Sequence, residues 1–305
     1  DDEYAFALAH FTGSKEHNVR MRQRAIERGM KLNEYGLFRD DDGERVDCKD
    51  EVDIHRALGL QAWIPPELRE DLGEFELAEQ DDLPRLVEAA DLVGTLHSHT
   101  TYSDGKLSVE DLAEEAAARG LQYLGITDHS ETSVIANGLS ADRIRQQIEE
   151  IDAWNEAHGD RLWLLKGIEV DILSDGAIDY QENDPDIFEA LDFTIASVHQ
   201  GFLKDEQKMT ERIVTALRNP AVTMLGHPTG RLLLSREGYP LDIDAVLQAC
   251  AETGTMVEIN ANPRRLELDW RWGRRARELG VMISINPDAH AAAGLDDVRW
   301  GLSIA

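Results

Sequence analysis

The chain has 305 residues and 42% hydrophobic content, enough to build a proper core in one large barrel or two domains. Sixty acidic residues against 31 basic ones leave a formal net charge of −29, a surface that by itself repels nucleic acid. No run approaches a membrane span, the charged N-terminus has no signal-peptide core, and Cys48 and Cys250 lack metal-pair spacing. A cytoplasmic protein with reduced thiols and no membrane partner is expected.

Residues 1–80 read as a small α/β unit. Residues 3–10 form a short apolar helix, broken by Phe11-Thr12-Gly13-Ser14. Ser14 is a suitable N-cap for a second helix over 15–29. Residues 32–38, a turn at Asp41-Asp42-Gly43, and residues 45–46 predict a hairpin. The aspartates there read as a solvated turn, because the remaining ligands of a calcium loop are missing. A further short helix is expected over 51–58, and Trp63-Ile64-Pro65-Pro66 closes the unit. Between Lys15 and Lys31 stand six basic residues and two acidic ones, against the trend of the chain. This is either a salt-bridged surface helix or a phosphate-binding face near a helix N-terminus. Leu83, Leu86 and Val87 predict a short amphipathic helix in a connector, with the boundary near Gln80 and a linker over 81–92.

From residue 93 a βα rhythm begins. Strands are expected over 93–97, 123–127, 163–168, 193–197, 223–225, 256–260 and 282–286. Helical patterns lie between, at 109–119, 141–158 and 243–252. Seven strands alternating with helices predict a parallel sheet, closed as a barrel over 93–305. In such barrels chemistry gathers at the C-terminal strand ends.

Those ends carry one kind of side chain. The first strand delivers His97 and His99, two apart and so on one face of extended chain, with Asp104 in the following loop. The second ends in Asp128-His129, the third in Glu169, the fourth in His199, the fifth in His227, and the seventh in Asp288-Ala289-His290. Six of the ten histidines fall at these ends. His10, His17, His55 and His158 do not. Nine candidate ligands are too many for one ion, and imidazole with carboxylate and no thiolate suits zinc or manganese, with iron or magnesium as alternatives. Two or three divalent ions sharing Glu169 are expected. Asp128 and Asp171 could orient ligands from behind, or Asp171 could simply cap a loop. Arg231, Asn262, Arg264 and Arg265 follow the fifth and sixth strands, where they could clamp a DNA backbone or form surface salt bridges.

The motifs LHSHTTYSDG, ITDH, GIE, SVH, GHP and DAH resemble the successive metal motifs of the polymerase and histidinol phosphatase (PHP) superfamily. The segment FTGSKEHNVRMRQRAIERGMKLNEYGLF, with WIPPELRED, resembles the thumb subdomain of family X DNA polymerases. The resemblance implies a distorted TIM-like (β/α)7 barrel behind a small α+β thumb, as in the C-terminal half of a bacterial or archaeal family X polymerase. It implies metal-dependent 3′–5′ exonuclease chemistry on gapped or single-stranded DNA ends. By resemblance His97, His99, Glu169 and Asp288 form the catalytic set and hold one metal. Glu169, His199 and His227 hold a second, and Asp104, His129 and His290 a third. Asp104 stands where phosphatase members often have histidine.

By the same resemblance Phe11, Gly13, Asn18 and Arg22 occupy nucleotide- and template-contacting positions, and His10 stands where many members have tyrosine. Arg20, Arg24 and Arg28 extend the basic face for DNA. The family's palm lies upstream as a partner domain of the parent protein, and no paired-aspartate strand occurs in 1–80, so no polymerisation by this chain is expected. The alternatives are a small-molecule phosphatase of the histidinol phosphate type and a non-catalytic metal-stabilised module. Rare lysine beside abundant acid points to a halophilic archaeon with a salty cytoplasm, where screening tolerates the charge.

Overall fold

The computed structural model describes residues 3–305; residues 1 and 2 of the expected thumb-like unit lie outside the described residues. The chain divides into two compact units, Asp1–Leu86 and Val87–Ala305.

In the first unit, α1 (Tyr4–Phe11) and α2 (Lys15–Glu27) meet at the turn where Ser14 Oγ accepts the His17 N–H at 3.0 Å. A hairpin follows, β1 (Met30–Asn33) and β2 (Gly36–Arg39), in antiparallel register Asn33↔Gly36. Its turn lies earlier than the sequence pattern placed it. Asn33 Oδ1 accepts the N–H groups of Tyr35 at 2.9 Å and Gly36 at 3.0 Å, an Asx turn that reverses the chain within two residues. The Asp41-Asp42-Gly43 turn only folds Arg45 back beside Phe38. The helices α3 (Glu51–Ala57) and α4 (Glu74–Glu79) complete a core of Phe6, Met21, Ala25, Leu37, Ile54 and Phe75. The helix expected from Leu83, Leu86 and Val87 is not formed. Pro84 has no N–H to donate and biases Leu83 away from helical backbone. Leu83 instead packs on this unit's core.

The second unit is a seven-stranded parallel barrel. Its strands are β3 (Gly94–Thr95), β4 (Tyr123–Ile126), β5 (Trp163–Asp171), β6 (Phe193–Ser197), β7 (Met224–Leu225), β8 (Met256–Asn260) and β9 (Ile283–Asn286), and their order in the sheet is their order in the chain. Between them run α5 (Val109–Ala118), α6 (Ala141–His158), α7 (Ile187–Ala190), α8 (Glu206–Leu217), α9 (Ile243–Thr253) and α10 (Gly273–Leu279), with α11 (Val298–Leu302) after β9. Ser108, Asp205 and Asp242 cap α5, α8 and α9 by accepting N–H groups three residues on, at 3.0–3.1 Å. The first half of β5 pairs with β4 and its second half, from Gly167↔Phe193, with β6. That stagger is the shear a barrel needs. The seam between β3 and β9 is drawn together past the strand ends, where His99 N–H donates to Ala289 O at 2.8 Å.

Side chains alternate along β5, so Leu165, Gly167, Glu169 and Asp171 share one face. Leu165 joins Leu96, Phe193, Ile195, Met224 and Met256 in an apolar floor. The Phe193 ring lies so close to β5 that a Cβ at Gly167 would come within 2.5 Å of it. Glu169 stands above this floor, with the strand ends around it. No helix among the described residues is long and apolar enough to cross a membrane.

Candidate metal centre

The strand ends bring all nine expected ligands to one face of the barrel. Glu169 is buried at the centre, with five imidazoles around it. His227 Nε2 lies 2.8 Å from Oε1, His199 Nε2 3.3 Å from Oε1, and His129 Nδ1 2.9 Å from Oε2. His97 Nε2 and His99 Nε2 lie 3.5 and 3.7 Å from Oε2. Asp288 Oδ1 sits 3.2 Å from His99 Nε2 and 3.7 Å from His97 Nε2. At the outer edge, Asp104 Oδ1 is 3.3 Å from His290 Nε2 and 3.6 Å from His129 Nε2.

By distance between donor atoms eight of the nine fall into three groups, His97–His99–Asp288, His129–Glu169–His199, and His99–Asp104–His129–His290, and His227 joins none of them. This grouping places His99 and His129 at the junctions between groups, whereas the family pattern assigns each to a single ion. Two candidate ligands, His227 (φ +25°) and Asp288 (φ +52°), hold left-handed backbone that non-glycine residues rarely adopt.

The residues fit divalent cations. His97 Nε2, both ring nitrogens of His99, and Glu169 Oε2 are buried and make no hydrogen bond. Each such group left unsatisfied costs about 1–3 kcal/mol, and a cation among them removes that cost. The field points the same way. Burial disfavours charge on His97, but Glu258, Glu169 and Asp288 outweigh it and hold the imidazole well above its ordinary value. The same contest raises His199 to about 10 beside Glu169 and Asp171, and His290 to about 9 beside Asp104. Burial, and then the neighbouring His129, push His99 down to about 4. Burial pushes the Glu169 and Asp288 carboxyls up, yet the imidazoles override it and hold both well below the usual range. A potential that draws protons onto buried imidazoles draws metal ions, which displace those protons.

Asp171 accepts from His199 Nδ1 and from the hydroxyls of Thr132 and Ser133, both at 3.1 Å. The Asp128 carboxylate bonds to no candidate ligand side chain among the described residues, although the Glu169 N–H donates to its main-chain carbonyl at 3.2 Å. It accepts from Thr100 N–H at 2.8 Å, Thr100 Oγ1 at 2.6 Å and Gln147 Nε2 at 2.6 Å, and from the Ser103 hydroxyl. It thereby folds the loop that carries Asp104. Gly105 closes that loop against the His99 carbonyl so tightly that a side chain there would collide with it.

The expected DNA contacts divide. Phe11, Arg22, Arg28 and Arg264 are exposed. Asn18 is committed locally, its amide donating to the carbonyls of His10, Gly13 and Ser14 at 3.0–3.1 Å. Arg20 pairs with Asp71 at 2.7 Å and with Glu76. Arg24 is buried, donating to Leu58 O and to Glu79. These pairs occupy two of the guanidinium groups on the basic helix, so it is not a uniformly free cationic face. Arg231 donates to the carbonyls of Arg265 and Leu266, and Asn262 Oδ1 accepts the Arg264 N–H at 3.0 Å, so both shape the loop after β8. Arg265 reaches Asp288 Oδ2 at 3.4 Å, at the edge of the centre.

Sequence reasoning missed Glu258, Asn260 and Asn286, all buried beneath the ligands. The signal was present. Glu258 and Asn260 alternate on one face of the otherwise apolar strand MVEIN, a placement that a surface strand does not explain.

Comparison with known proteins gives two family matches, the DNA polymerase beta thumb over residues 7–70 and the PHP domain over residues 95–262. The chain is 43% identical over 305 residues to the DNA polymerase/3′-5′ exonuclease PolX of Bacillus subtilis; all of the chain is matched, and it spans 52% of that relative's length. It is 31% identical over 216 residues to a probable phosphatase of Thermoanaerobacter sp. (strain X514), covering 66% of the chain and 80% of the relative. Among solved structures it is similar to histidinol phosphate phosphatase of Lactococcus lactis, a complex with zinc, L-histidinol and phosphate. The TM-score is 0.52 and the identity 18%, covering 69% of this chain and 92% of that one.

Proposed function

The chain belongs to the PHP domain family and carries a DNA polymerase beta thumb match ahead of its barrel, and from that premise we propose that it is a metal-dependent 3′–5′ exonuclease module acting on DNA. PHP domains are phosphoester hydrolases, and the observation that carries this reading is Glu169, one buried carboxylate within 3.7 Å of five imidazoles. His97, His99, Glu169 and Asp288 would hold the innermost ion, Glu169, His199 and His227 a second, and Asp104, His129 and His290 a third at the mouth. Manganese or zinc suits these donors best. When bound, the ions supply Lewis acidity to the phosphoester and to the attacking water.

The protein's own part is positioning. Glu169 holds the imidazoles at one centre, Asp171 orients His199, and Asp128 fixes the loop of Asp104. The apolar floor closes the barrel from below, so water and substrate reach the centre from the mouth. Arg265 and the exposed Arg264 would bind backbone phosphate there. The thumb-like residues 1–80 would supply DNA affinity through Phe11, Arg22 and Arg28, and residues 81–92 would serve as linker. Gapped or single-stranded 3′ ends are the proposed substrate, and polymerase domains of a longer parent protein the proposed partner. The acidic composition supports a host with a salty cytoplasm. The likeness to phosphatases favours a second reading, hydrolysis of small phosphomonoesters.

One comparison separates the two. The purified chain is given Mn2+ or Zn2+ with 5′-labelled single-stranded DNA, and separately with histidinol phosphate. Progressive shortening of the DNA from its 3′ end is expected, falling at least about 100-fold in a folded His97→Ala, His99→Ala double variant. Turnover of histidinol phosphate with intact DNA would sink the nuclease reading. Equal DNA degradation by the double variant would sink the site.

A further inference from the structure

Beneath the candidate ligands lies an acid that belongs to none of the three groups. Glu258, on β8, is fully buried. Its Oε1 accepts from His97 Nδ1 at 2.7 Å and Asn286 Nδ2 at 3.1 Å. Its Oε2 accepts from the His227 main-chain N–H at 2.7 Å and Asn260 Nδ2 at 3.1 Å. The Asn260 amide also reaches Asp288 Oδ2 at 3.1 Å, and Asn286 Oδ1 takes the Leu96 N–H at 2.9 Å. One carboxylate therefore connects, directly or through one amide, to candidate ligands from three different strands. All four groups around it are donors. An amide in its place would turn two donors of its own toward them.

A carboxylate here has a defined consequence for His97. An ionised acid only accepts, so the ring presents a proton to it on Nδ1, and Nε2 is left as the nitrogen that can give up its proton to a metal ion. Nε2 is the buried nitrogen that lacks a hydrogen bond and faces Glu169 and Asp288. The same acid grips the main chain of His227 at its left-handed backbone, and so sets where that ring meets Glu169.

We propose that Glu258 is the positioning residue of the metal centre: it makes His97 an Nε2 ligand, aims His227 at Glu169, and sets the affinity of the innermost divalent ion without binding one itself. This rests on the metal-binding reading of the cluster. A purely structural tie between strands would cost folding stability and leave ion affinity untouched.

The test uses the full chain stripped of metal. Zn2+ and Mn2+ alone are titrated in, ions are counted by elemental analysis, and affinity is measured by competition with a chromophoric chelator. Glu258→Gln keeps the shape and loses the charge, and Glu258→Asp keeps the charge and withdraws it by one methylene. The Gln variant is expected to hold its tightest ion about 10–100-fold more weakly, with part of the loss recovered in the Asp variant. In the zinc-loaded wild type, 15N-labelled histidine should show a protonated Nδ1 and a metal-shifted Nε2 at His97. That measurement stands even where the Gln variant does not fold. Metal on Nδ1 of His97, or Gln-variant affinity within twofold of wild type at equal ion count, overturns the proposal. A wild type that binds no divalent ion overturns the metal reading together with it, whereas binding by wild type and Gln variant alike removes only the role of Glu258.

Discussion

At the scale of single residues, histidine does two opposite jobs in this chain, and its surroundings decide which. In the barrel His97, His199 and His290 face carboxylates that outweigh burial and favour the charged ring. His55, in the first unit, is buried with Nδ1 donating to Glu51 O at 2.7 Å, and its Nε2 has no partner. Burial, aided by the nearby Arg69, pushes it down to about 4. The linkage has a definite sign. Between about 4 and the ordinary 6.5 the unfolded chain binds a proton at this position and the folded chain does not, so stability rises with pH across that window and is lost as pH falls through it. The limit is about 1.4 kcal/mol per pH unit. His55→Gln should therefore flatten the pH dependence of chemical unfolding between pH 4 and 6.5, measured as the difference from wild type so that shared carboxylates cancel. An unchanged difference across that range would show that His55 is protonated in the native fold.

At the scale of elements, the barrel was the more legible half. Strand periodicity located all seven strands, because a buried parallel strand reads as an apolar run whose end is marked by a change to polar residues. The candidate ligands were readable because they stand at those ends. Glu258 was signalled by its alternation with Asn260 in MVEIN, but its role was not, because its partners His97 and Asn286 stand on other strands. The hairpin turn moved because Asn33 offers its own side chain to the backbone, and the helix at Leu83 failed at Pro84. The basic helix α2 is the instructive case. Its charge was evident, but the acids that meet it lie far along the chain at Asp71, Glu76 and Glu79. Among its arginines only the exposed Arg22 and Arg28 remain as candidates for phosphate. Replacing both by glutamine should lower the slope of log affinity for DNA against log salt by up to about 2 while leaving the unfolding midpoint unchanged. Arg24→Ala should do the reverse, costing about 1–3 kcal/mol of stability because Leu58 O loses its buried donor. If Arg24→Ala weakens DNA binding without destabilising the fold, the division between structural and binding arginines is wrong.

At the scale of the whole molecule, the charge of −29 sets two demands against each other. Self-repulsion of the folded surface is relieved by salt, since the screening length falls from about 10 Å at 0.1 M to about 3 Å at 1 M. The thermal midpoint should therefore climb steeply as KCl rises toward 1 M. A flat or falling midpoint would remove the proposal of a salty host. The same salt that steadies the fold weakens exposed contacts between arginine and phosphate, because it cancels the entropy gained by releasing counterions. The metal centre escapes this conflict. Its inner charges are buried around Glu169, and buried pairs are screened far less than exposed ones. Binding and chemistry should then separate along a salt axis: from 0.2 to 2 M KCl, KM for single-stranded DNA should rise by more than tenfold, while kcat on a small chromogenic phosphodiester stays within about threefold, under 1 kcal/mol of barrier. A kcat on the small diester that falls in step with DNA affinity would place the chemistry on the exposed surface rather than in the buried centre.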